Sequence, residues 1–478
     1  MDKDKPNAIW QRFSPYLLSY LSLPTTALLA ILVLVATLIV QDLSQDLIKI
    51  EAISVPKIIA DDGLTAEIGS RRLRDALTSY AKKAGTAMKG PSVAPRNELP
   101  DFVVPKIGLS VDTIVSGIRS ILHYGNRQTI SGEMVIRGSQ AWLRLRVDGE
   151  EVYSSPRGSD VEQLDQMFAD AVPAIMEKIR PYLVAATIYD NNREEGFRKA
   201  QEITNRFPES DPNVQWALVL IAKYYLERED DVEAKLASIK ALRLNGANEM
   251  AHLNYGWALY MGGERGSGLA EAYRALRLSP REPTLHIALG QFLDLEDRYD
   301  QAFAEYERAV AIDPKSALAH AHFGVFLANH GKTDQAMEQM RQSAELDPTS
   351  DALHLGLATI FSSQEQWDQA AAEFRRTIEL KPDRVDAHKL LGGVFAQQGD
   401  LTAAAMEFNR AIELDPKSIA VYYMLGYVRR QQNRWNEADH VFCRGMALEQ
   451  ELYDRRLEAG SKELEEHFEK LLPGFLSP

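Results

Sequence analysis

Cysteine is almost absent from this chain, whose 478 residues include only Cys443. A single cysteine permits neither an intramolecular disulfide nor a cysteine-rich zinc site. Basic residues are also in the minority, since 54 Lys and Arg stand against 68 Asp and Glu, for a formal net charge of -14. Nucleic-acid phosphates require a clustered basic face, and the sequence contains none, so we predict no nucleic-acid partner.

Catalytic and cofactor motifs are missing as well. The sequence contains no G-x-S-x-G elbow and no H-E-x-x-H pair, which are signatures of hydrolases and metalloproteases. The glycine-rich stretch MGGERGSG, residues 261–268, lacks the Gly-Lys-Ser/Thr ending of a phosphate-binding loop. We therefore predict a protein that is not an enzyme and uses no cofactor and no metal. An enzyme would require a residue such as His123 to be essential for a measured turnover.

One long uncharged run lies near the start of the chain. Residues 24–40 read PTTALLAILVLVATLIV, and the apolar run extends backward through YLLSYLSL. About 20 apolar residues span the ~30 Å core of a bilayer, so the run predicts a transmembrane anchor at 16–41 after an N-terminal tail at 1–15. A cleaved signal peptide is the alternative, but no A-x-A cleavage pattern follows the run.

The charges beside this run predict an orientation. Lys3, Lys5 and Arg12 precede it, whereas Asp42 and Asp46 follow it. The positive-inside bias then places the N-terminus in the cytoplasm. The bulk of a single-pass membrane protein would face outward, into the periplasm if the cell is Gram-negative.

Residues 42–182 predict a small two-layer α/β domain. Alternating apolar residues indicate strands, and helical spacing indicates helices. The predicted order is β-α-β-α-β-β-β-α: a strand in 46–59, a helix in 64–84, a strand in 102–109, a helix in 110–122, three antiparallel strands in 128–155 and a helix in 159–180. The pair Asp148 and Gly149 suits a two-residue hairpin turn, because both positions need positive φ.

A spacing of 34 residues dominates the second half of the sequence. It is carried by Pro212, Gly246, Pro280, Pro314, Pro348, Pro382 and Pro416. Small residues follow ten positions later, at Ala222, Gly256, Gly290, Gly324, Ala358, Gly392 and Gly426, and 22 positions later, at Ala234, Gly268, Ala302, Ala336, Ala370, Ala404 and Ala438. Small residues let two helices approach closely, and proline ends a helix. Each unit is therefore predicted to be two helices joined by a turn.

This pattern resembles the tetratricopeptide repeat (TPR), as in HAHFGVFLANHGKTDQAMEQMRQSAELDP at residues 320–348. The resemblance implies a mainly α fold, with an α-solenoid of about eight helix-turn-helix units over residues 183–450. Terminal units need a polar outer face, so residues 451–478 are predicted to hold a capping helix. The solenoid is similar to the TPR region of O-GlcNAc transferase-like proteins, without a catalytic domain.

Five of the ten histidines keep the same spacing: His252, His286, His320, His354 and His388. Equivalent positions on successive units lie about 8–10 Å apart, whereas each zinc–imidazole bond is about 2 Å long. The histidines therefore cannot share a metal ion. Tyr422 and Leu218 occupy the equivalent positions in other units, which favours a packing role for this position.

The resemblance implies that the first helices of the units line a concave groove. The family's groove positions correspond to Met250, Leu253, Trp257, Tyr260 and Met261 in one unit and to Tyr423, Tyr427, Arg430 and Gln431 in another. Aromatic residues in a groove often anchor a partner, so we predict that a protein or peptide binds there. The alternative is that Trp257 or Tyr427 packs against a neighbouring unit.

Two ligand-binding modes of the family are not matched. Lys389 fits one position of the carboxylate clamp of chaperone-binding members, but Gly393 stands where the clamp needs asparagine. The asparagine ladder of the O-GlcNAc transferase solenoid is absent too. Its series here reads Asn254, His322, Gly356, Leu390 and Met424.

These features together predict a membrane-anchored TPR scaffold that mediates protein–protein interaction, with a role in envelope assembly or biogenesis. The alternative is a small-ligand sensor, in which the α/β domain binds the ligand and the TPR array relays the signal or recruits a partner. Convergent polar residues in a pocket of the α/β domain would favour the sensor.

Overall fold

A computed structural model describes residues 48–57, 60, 64–84, 128–137, 140–155 and 164–471. The chain divides into two compact units, Met1–Val184 and Ala185–Pro478. The first unit contains four strands and two complete helices among the described residues. They are β1 (Ile48–Ile50), α1 (Ala66–Ala84), β2 (Gln128–Arg137), β3 (Gln140–Val147), β4 (Glu150–Ser154) and α2 (Leu164–Ile179).

The four strands of the first unit form one sheet in the order β1-β2-β3-β4. β1 runs parallel to β2, and the other neighbours are antiparallel. Alternate residues of β3 are buried, because one face of the sheet is covered by α2. Asp148 and Gly149 have φ of 51° and 82° between β3 and β4, which confirms the predicted hairpin turn.

The predicted elements occur in the predicted order among the described residues, except that Lys57, near the end of the strand predicted at 46–59, and Ala60, just after it, are helical. α1 lies within the helix predicted at 64–84, and α2 lies within the one predicted at 159–180. Pro173 lies inside α2 without ending it. The strand predicted at 102–109 and the helix predicted at 110–122 lie outside the described residues.

The second unit is an array of antiparallel helix pairs. Helix α3 (Pro181–Asn191) contains the division between the units. The helices after it are α4 (Arg193–Arg206), α5 (Pro212–Glu227), α6 (Asp231–Leu244), α7 (Glu249–Met261), α8 (Arg265–Leu278), α9 (Pro283–Leu295), α10 (Tyr299–Ile312), α11 (Ala317–Asn329), α12 (Thr333–Leu346), α13 (Asp351–Ser363), α14 (Trp367–Leu380), α15 (Val385–Gln397), α16 (Leu401–Leu414), α17 (Ile419–Gln431) and α18 (Trp435–Leu471). From α5 onward, odd-numbered helices are the first helices of their units and even-numbered helices the second, which confirms the predicted mainly α solenoid.

The predicted membrane topology needs correction. Among the residues with described structure, no helix is both long and apolar enough to cross a membrane. The longest, α18, has 37 residues but carries charged side chains along its whole length, whereas a spanning helix needs ~20 predominantly apolar residues. By this finding the prediction of a single-pass membrane protein, with its bulk facing outward, is wrong. The predicted anchor segment, residues 16–41, itself lies outside the described residues.

The five periodic histidines join the two helices of a unit to the turn before them. Each Nδ1 lies 2.5–2.7 Å from an oxygen 19 residues later, on Glu271, Glu305, Gln339, Glu373 or Glu407. Each Nε2 lies 3.0–3.3 Å from a backbone carbonyl six residues earlier, on Gly246, Pro280, Pro314, Pro348 or Pro382. A carbonyl oxygen only accepts, so Nε2 is the donor in that bond. The histidines thus have a hydrogen-bonding role that the predicted packing role did not include.

In a later repeat unit, a tyrosine at the position of the periodic histidines makes one of the same hydrogen bonds. Tyr422 Oη donates to the Pro416 carbonyl at 3.3 Å, which is the bond that Nε2 makes elsewhere. Both ring nitrogens of the histidines already have partners. Within the described parts of the chain, no group of three or more His, Cys, Asp or Glu side chains is arranged to hold a metal ion.

The first and second helices of one unit approach closely enough to exclude a side chain. A Cβ added at Gly256 on α7 would lie 2.8 Å from the Gly268 carbonyl on α8. A Cβ added at Gly268 would lie 2.6 Å from the Gly256 carbonyl and 3.0 Å from the Tyr260 nitrogen. All three distances are shorter than a normal van der Waals contact, so this pair of glycines lets the two backbones meet.

We predict that His286→Ala lowers the free energy of unfolding by about 2–4 kcal/mol, because it leaves Oε2 of the buried Glu305 carboxylate without a partner, while Arg308 pairs with the other oxygen, Oε1. The matched change is His354→Ala, whose partner Glu373 has a side chain that is 27% exposed against 9% for Glu305. Solvation of the more exposed carboxylate should limit that loss to about 1–2 kcal/mol. Urea titration of both variants measures the difference, and equal losses would contradict the prediction.

We predict that Gly268→Ala destabilises the protein, although alanine occupies this position in the other units. The clash with the Gly256 carbonyl should cost about 1–3 kcal/mol, which outweighs the ~1 kcal/mol that alanine gains over glycine in a helix. Gly266→Ala, on the same helix with nothing within 4 Å of the added Cβ, is the control. Thermal unfolding should show the control unchanged or stabilised, and a Gly268→Ala variant as stable as the parent would refute the close contact.

Candidate partner-binding surface

The first helices form the inner row of the array. α5 packs on α7, α9 on α11, α11 on α13 and α15 on α17, so most first helices contact the first helix of a neighbouring unit. Second helices pack mainly on first helices. A closely packed row on one side curves the array toward that side, so the first helices line its concave surface, as the resemblance implies.

The predicted groove residues of α7 make most of their contacts within the protein. The Trp257 ring stacks on Phe292 of α9, with centroids 3.9 Å apart and planes 23° from parallel. Tyr260 meets both rings edge to face, and its Oη donates to Glu296 Oε1 at 2.8 Å. These contacts match the alternative interpretation, in which Trp257 packs against the neighbouring unit.

The remaining α7 residues are also largely enclosed. Leu253 is buried in the core that runs from this unit through α13, and Met250 packs against the same core. Met261 is half-buried, and its carbonyl accepts a hydrogen bond from Arg456 Nη2 at 3.4 Å. The α7 positions therefore offer a partner only the edges of their side chains.

Two further predicted groove residues, Lys389 and Tyr423, make polar contacts within the second unit. Lys389 Nζ on α15 donates to Glu229 Oε1, in the turn after α5, at 3.1 Å. Tyr423 Oη on α17 donates to Glu449 Oε2 at 2.7 Å, and this bond contributes to raising the pKa of Tyr423. Both predicted groove residues are thus engaged in contacts within the chain.

The α17 residues further along that helix stay open to solvent. The Tyr427 side chain is 60% exposed, and its Oη accepts a hydrogen bond from Gln431 Nε2 at 2.8 Å. The Arg430 guanidinium lies 5.6 Å from the centre of the Trp435 ring. These three predicted groove residues therefore form a fixed but accessible group.

Two apolar side chains that the groove prediction did not include lie beside Tyr427. Leu390 and Met424 are 39% and 41% exposed; many other exposed large apolar residues, such as Leu236, Met337 and Met406, lie on second helices, whereas these two lie on first helices of successive units. They occupy the same repeat position as Asn254 and His322, and the 34-residue spacing therefore contained the signal that could have identified them. We call Leu390, Met424 and Tyr427 the apolar concave patch.

His322 on α11 is influenced by a charged side chain from a distant repeat unit. The pKa of His322 is lowered to about 4, because burial disfavours the charged ring and because the positive guanidinium of Arg384 lies near it. Gln291 Nε2 lies 3.4 Å from His322 Nδ1. His322 lies on α11 and Arg384 directly precedes α15. Side chains from repeat units that are not adjacent therefore interact electrostatically.

A cavity of about 490 Å³ lies where the two ends meet. Its apolar walls come mainly from Met261, Ile419, Tyr423, Leu448 and Leu452, and its charged lining includes Arg228, Lys417, Arg455 and Arg456. The ends of the array are therefore not closely packed against each other.

Comparison with protein families identifies the repeats directly. A tetratricopeptide repeat model matches residues 267–317 and 355–419, and a second tetratricopeptide repeat model matches residues 407–440. All these residues lie in the second unit. The comparison with curated proteins gives no match.

Solved structures with similarity to this chain include three helical repeat proteins. The crystal structure of MamA protein is 21% identical, covers 36% of this chain and 94% of its own, and has a TM-score of 0.30. Yeast Tom70 is 15% identical over 63% of this chain and 61% of its own, with a TM-score of 0.42. The APC/C hetero-tetramer Cut9-Hcn1 is 15% identical over 62% of this chain and 59% of its own, with a TM-score of 0.43.

The family matches and the helix pairs agree on the same residues. The lattice of prolines and small residues falls on the turns and crossings of these pairs. The second unit of this chain is a tetratricopeptide-repeat solenoid.

Proposed function

We propose that the protein is a scaffold whose concave surface binds a segment of a protein partner. TPR proteins generally mediate protein–protein interaction, and the apolar concave patch is the observation that supports the same role here. Large apolar side chains that remain exposed in an otherwise packed array often mark a binding surface. Methionine and tyrosine both suit this purpose, because one adapts its shape and the other buries a large area at low entropic cost.

The spacing of the patch fits a partner segment that runs along the array. Leu390 and Met424 are equivalent positions on successive units, which places them about 8–10 Å apart. An extended peptide advances ~3.3 Å per residue, and a helix advances ~10.5 Å over seven residues. Either segment can therefore present one apolar side chain to each unit.

Polar side chains next to the patch would position the partner. Arg430 and Gln431 are exposed on α17 beside Tyr427, and hydrogen bonds from such groups select one register of a bound segment. The exposed edges of Met250, Trp257, Tyr260 and Met261 extend the surface toward the first units. We place the main contact on α15 and α17, because the α7 side chains are already held by their own neighbours.

The proposal is limited to binding a protein partner. No observation on the described residues favours a small-ligand site in the α/β unit or links the protein to envelope assembly. The lack of a catalytic motif in the sequence agrees with the scaffold role.

We predict that a photoreactive amino acid placed at Met424 crosslinks a discrete protein in cells, because this side chain lies on the concave patch. The matched control is the same amino acid at Met406, which is 67% exposed but lies on the second helix α16. Crosslinked products are separated on a gel and identified by mass spectrometry. Equal crosslinking at both positions, or none at Met424, would refute the proposed surface.

The double variant Met424→Ser and Tyr427→Ser should weaken capture of the crosslinked protein by tenfold or more, since central apolar anchors typically contribute ~2 kcal/mol or more. Met406→Ser should leave capture unchanged. Far-UV circular dichroism of both variants shows whether the fold is intact.

A further inference from the structure

The ends of the solenoid are joined by a group of ion pairs between residues that are far apart in sequence. Glu229 and Asp230 lie in the turn between α5 and α6, and Asp231 is the first residue of α6; we call these three residues the acidic turn. Its partners are Lys389 on α15 and Arg455 and Arg456 on α18, and the paired residues are separated by 160 to 225 positions. The acidic turn therefore connects the start of the array to its end.

The geometry of these pairs is that of direct charge-assisted hydrogen bonds. Arg456 donates from Nε at 3.0 Å and from Nη2 at 2.9 Å to the Asp231 carboxylate. Arg455 Nη1 lies 2.9 Å from both oxygens of Asp230. The Asp230 and Asp231 side chains are 9% and 6% exposed, so the contact shields them from water.

A second polar contact lies beside the first. Arg193 Nη1 donates to Asp383 Oδ1 at 2.9 Å, and the Arg193 backbone nitrogen donates to Asp383 Oδ2 at 2.7 Å. Lys381 Nζ donates to the Asp190 carbonyl. Helices α3 and α4, at the start of the second unit, thus contact the turn between α14 and α15.

Hydrogen-bonded ion pairs join the two sides of this junction, unlike the contacts between neighbouring units. Neighbouring units share continuous apolar cores, for example from Leu253 to Ile360. At the junction, by contrast, ion pairs surround the 490 Å³ cavity. Arg455 Nε is buried without a hydrogen-bond partner. The Arg455 and Arg456 side chains are 26% and 40% exposed, so salt ions can reach these pairs and weaken them, whereas salt does not weaken apolar packing. The junction should therefore separate more easily than two neighbouring units.

We propose that the ion pairs between the acidic turn and Lys389, Arg455 and Arg456 form a latch that holds the solenoid closed and can release it. Release separates the two ends and widens access to the concave surface. The link to access depends on the proposed function, but the opening itself does not. Small rotations between units add up along a repeat array, so breaking one junction moves its ends far apart.

The distance between α6 and α18 reports the state of the latch. Cys443 is exposed on α18 and is the sole cysteine in the sequence, and Lys240→Cys adds a second exposed attachment site on α6. Spin labels at these two positions allow distance measurement by double electron–electron resonance in the full chain. In low salt we expect one narrow short-distance population, and in about 1 M salt a second, longer population, because the Debye length falls to ~3 Å.

Reversing the charges of the Asp231–Arg456 pair distinguishes loss of this ion pair from a general disruption of the fold. Asp231→Arg faces Arg456 with a like charge, so most of the distribution should shift to longer distance. The swapped pair Asp231→Arg and Arg456→Asp should restore the short distance. The control is Glu264→Lys, which reverses one partner of the Lys235–Glu264 pair, 3.1 Å apart, between neighbouring units. It should leave the distance unchanged, because apolar packing holds those units together.

A distance that responds to neither salt nor Asp231→Arg would overturn the latch. A swapped pair that fails to restore the short distance would also overturn it, since the effect would then not be one of pairing. Failure of the Met424 crosslink, in contrast, would refute the partner surface and leave the distance result intact.

Discussion

The close approach of the two helices within each unit is the contact on which the solenoid depends. In the units that have glycine at this position of the first helix, the glycine faces the second helix, and in the α7–α8 pair glycines on both helices bring the backbones together. In other units the space is filled by a large side chain, as where a Cβ at Gly392 would lie 2.7 Å from the Phe408 ring. Each pair thus becomes a rigid block, and blocks of one shape stack into a regular array.

Stacking of equal blocks places all first helices on one side, which creates both the concave surface and the meeting of the two ends. These two features have different physical origins. Neighbouring units are held by apolar burial, whereas the ends are held by charges on the acidic turn and on α18. The array therefore combines a stable interior with a junction that responds to its ionic surroundings, and the apolar concave patch lies on the helices next to that junction.

The comparison of sequence and structure separates residues that repeat from those that do not. The 34-residue spacing predicted the helices, their turns and the periodic histidines, because each repeat unit has the same contacts between residues that are close together in the sequence. It did not predict that Trp257 stacks on Phe292 while Tyr427 stays exposed, since the outcome depends on which side chain the neighbouring unit presents. The membrane prediction came from hydropathy alone, and it is not supported by any described helix.

The sequence by itself determined the repeat, the fold class and the positions of the unit boundaries, because these depend on residues close together in the chain. Only the tertiary structure decided which groove positions remain open and that Asp231 meets Arg456 across 225 residues. Such contacts depend on how all the intervening repeat units are oriented relative to one another. A pattern of residues close together in the sequence does not predict that orientation. Leu253 is likewise buried in the core of neighbouring units, whereas Leu390 and Met424 stay exposed, because burial depends on what the next unit presents.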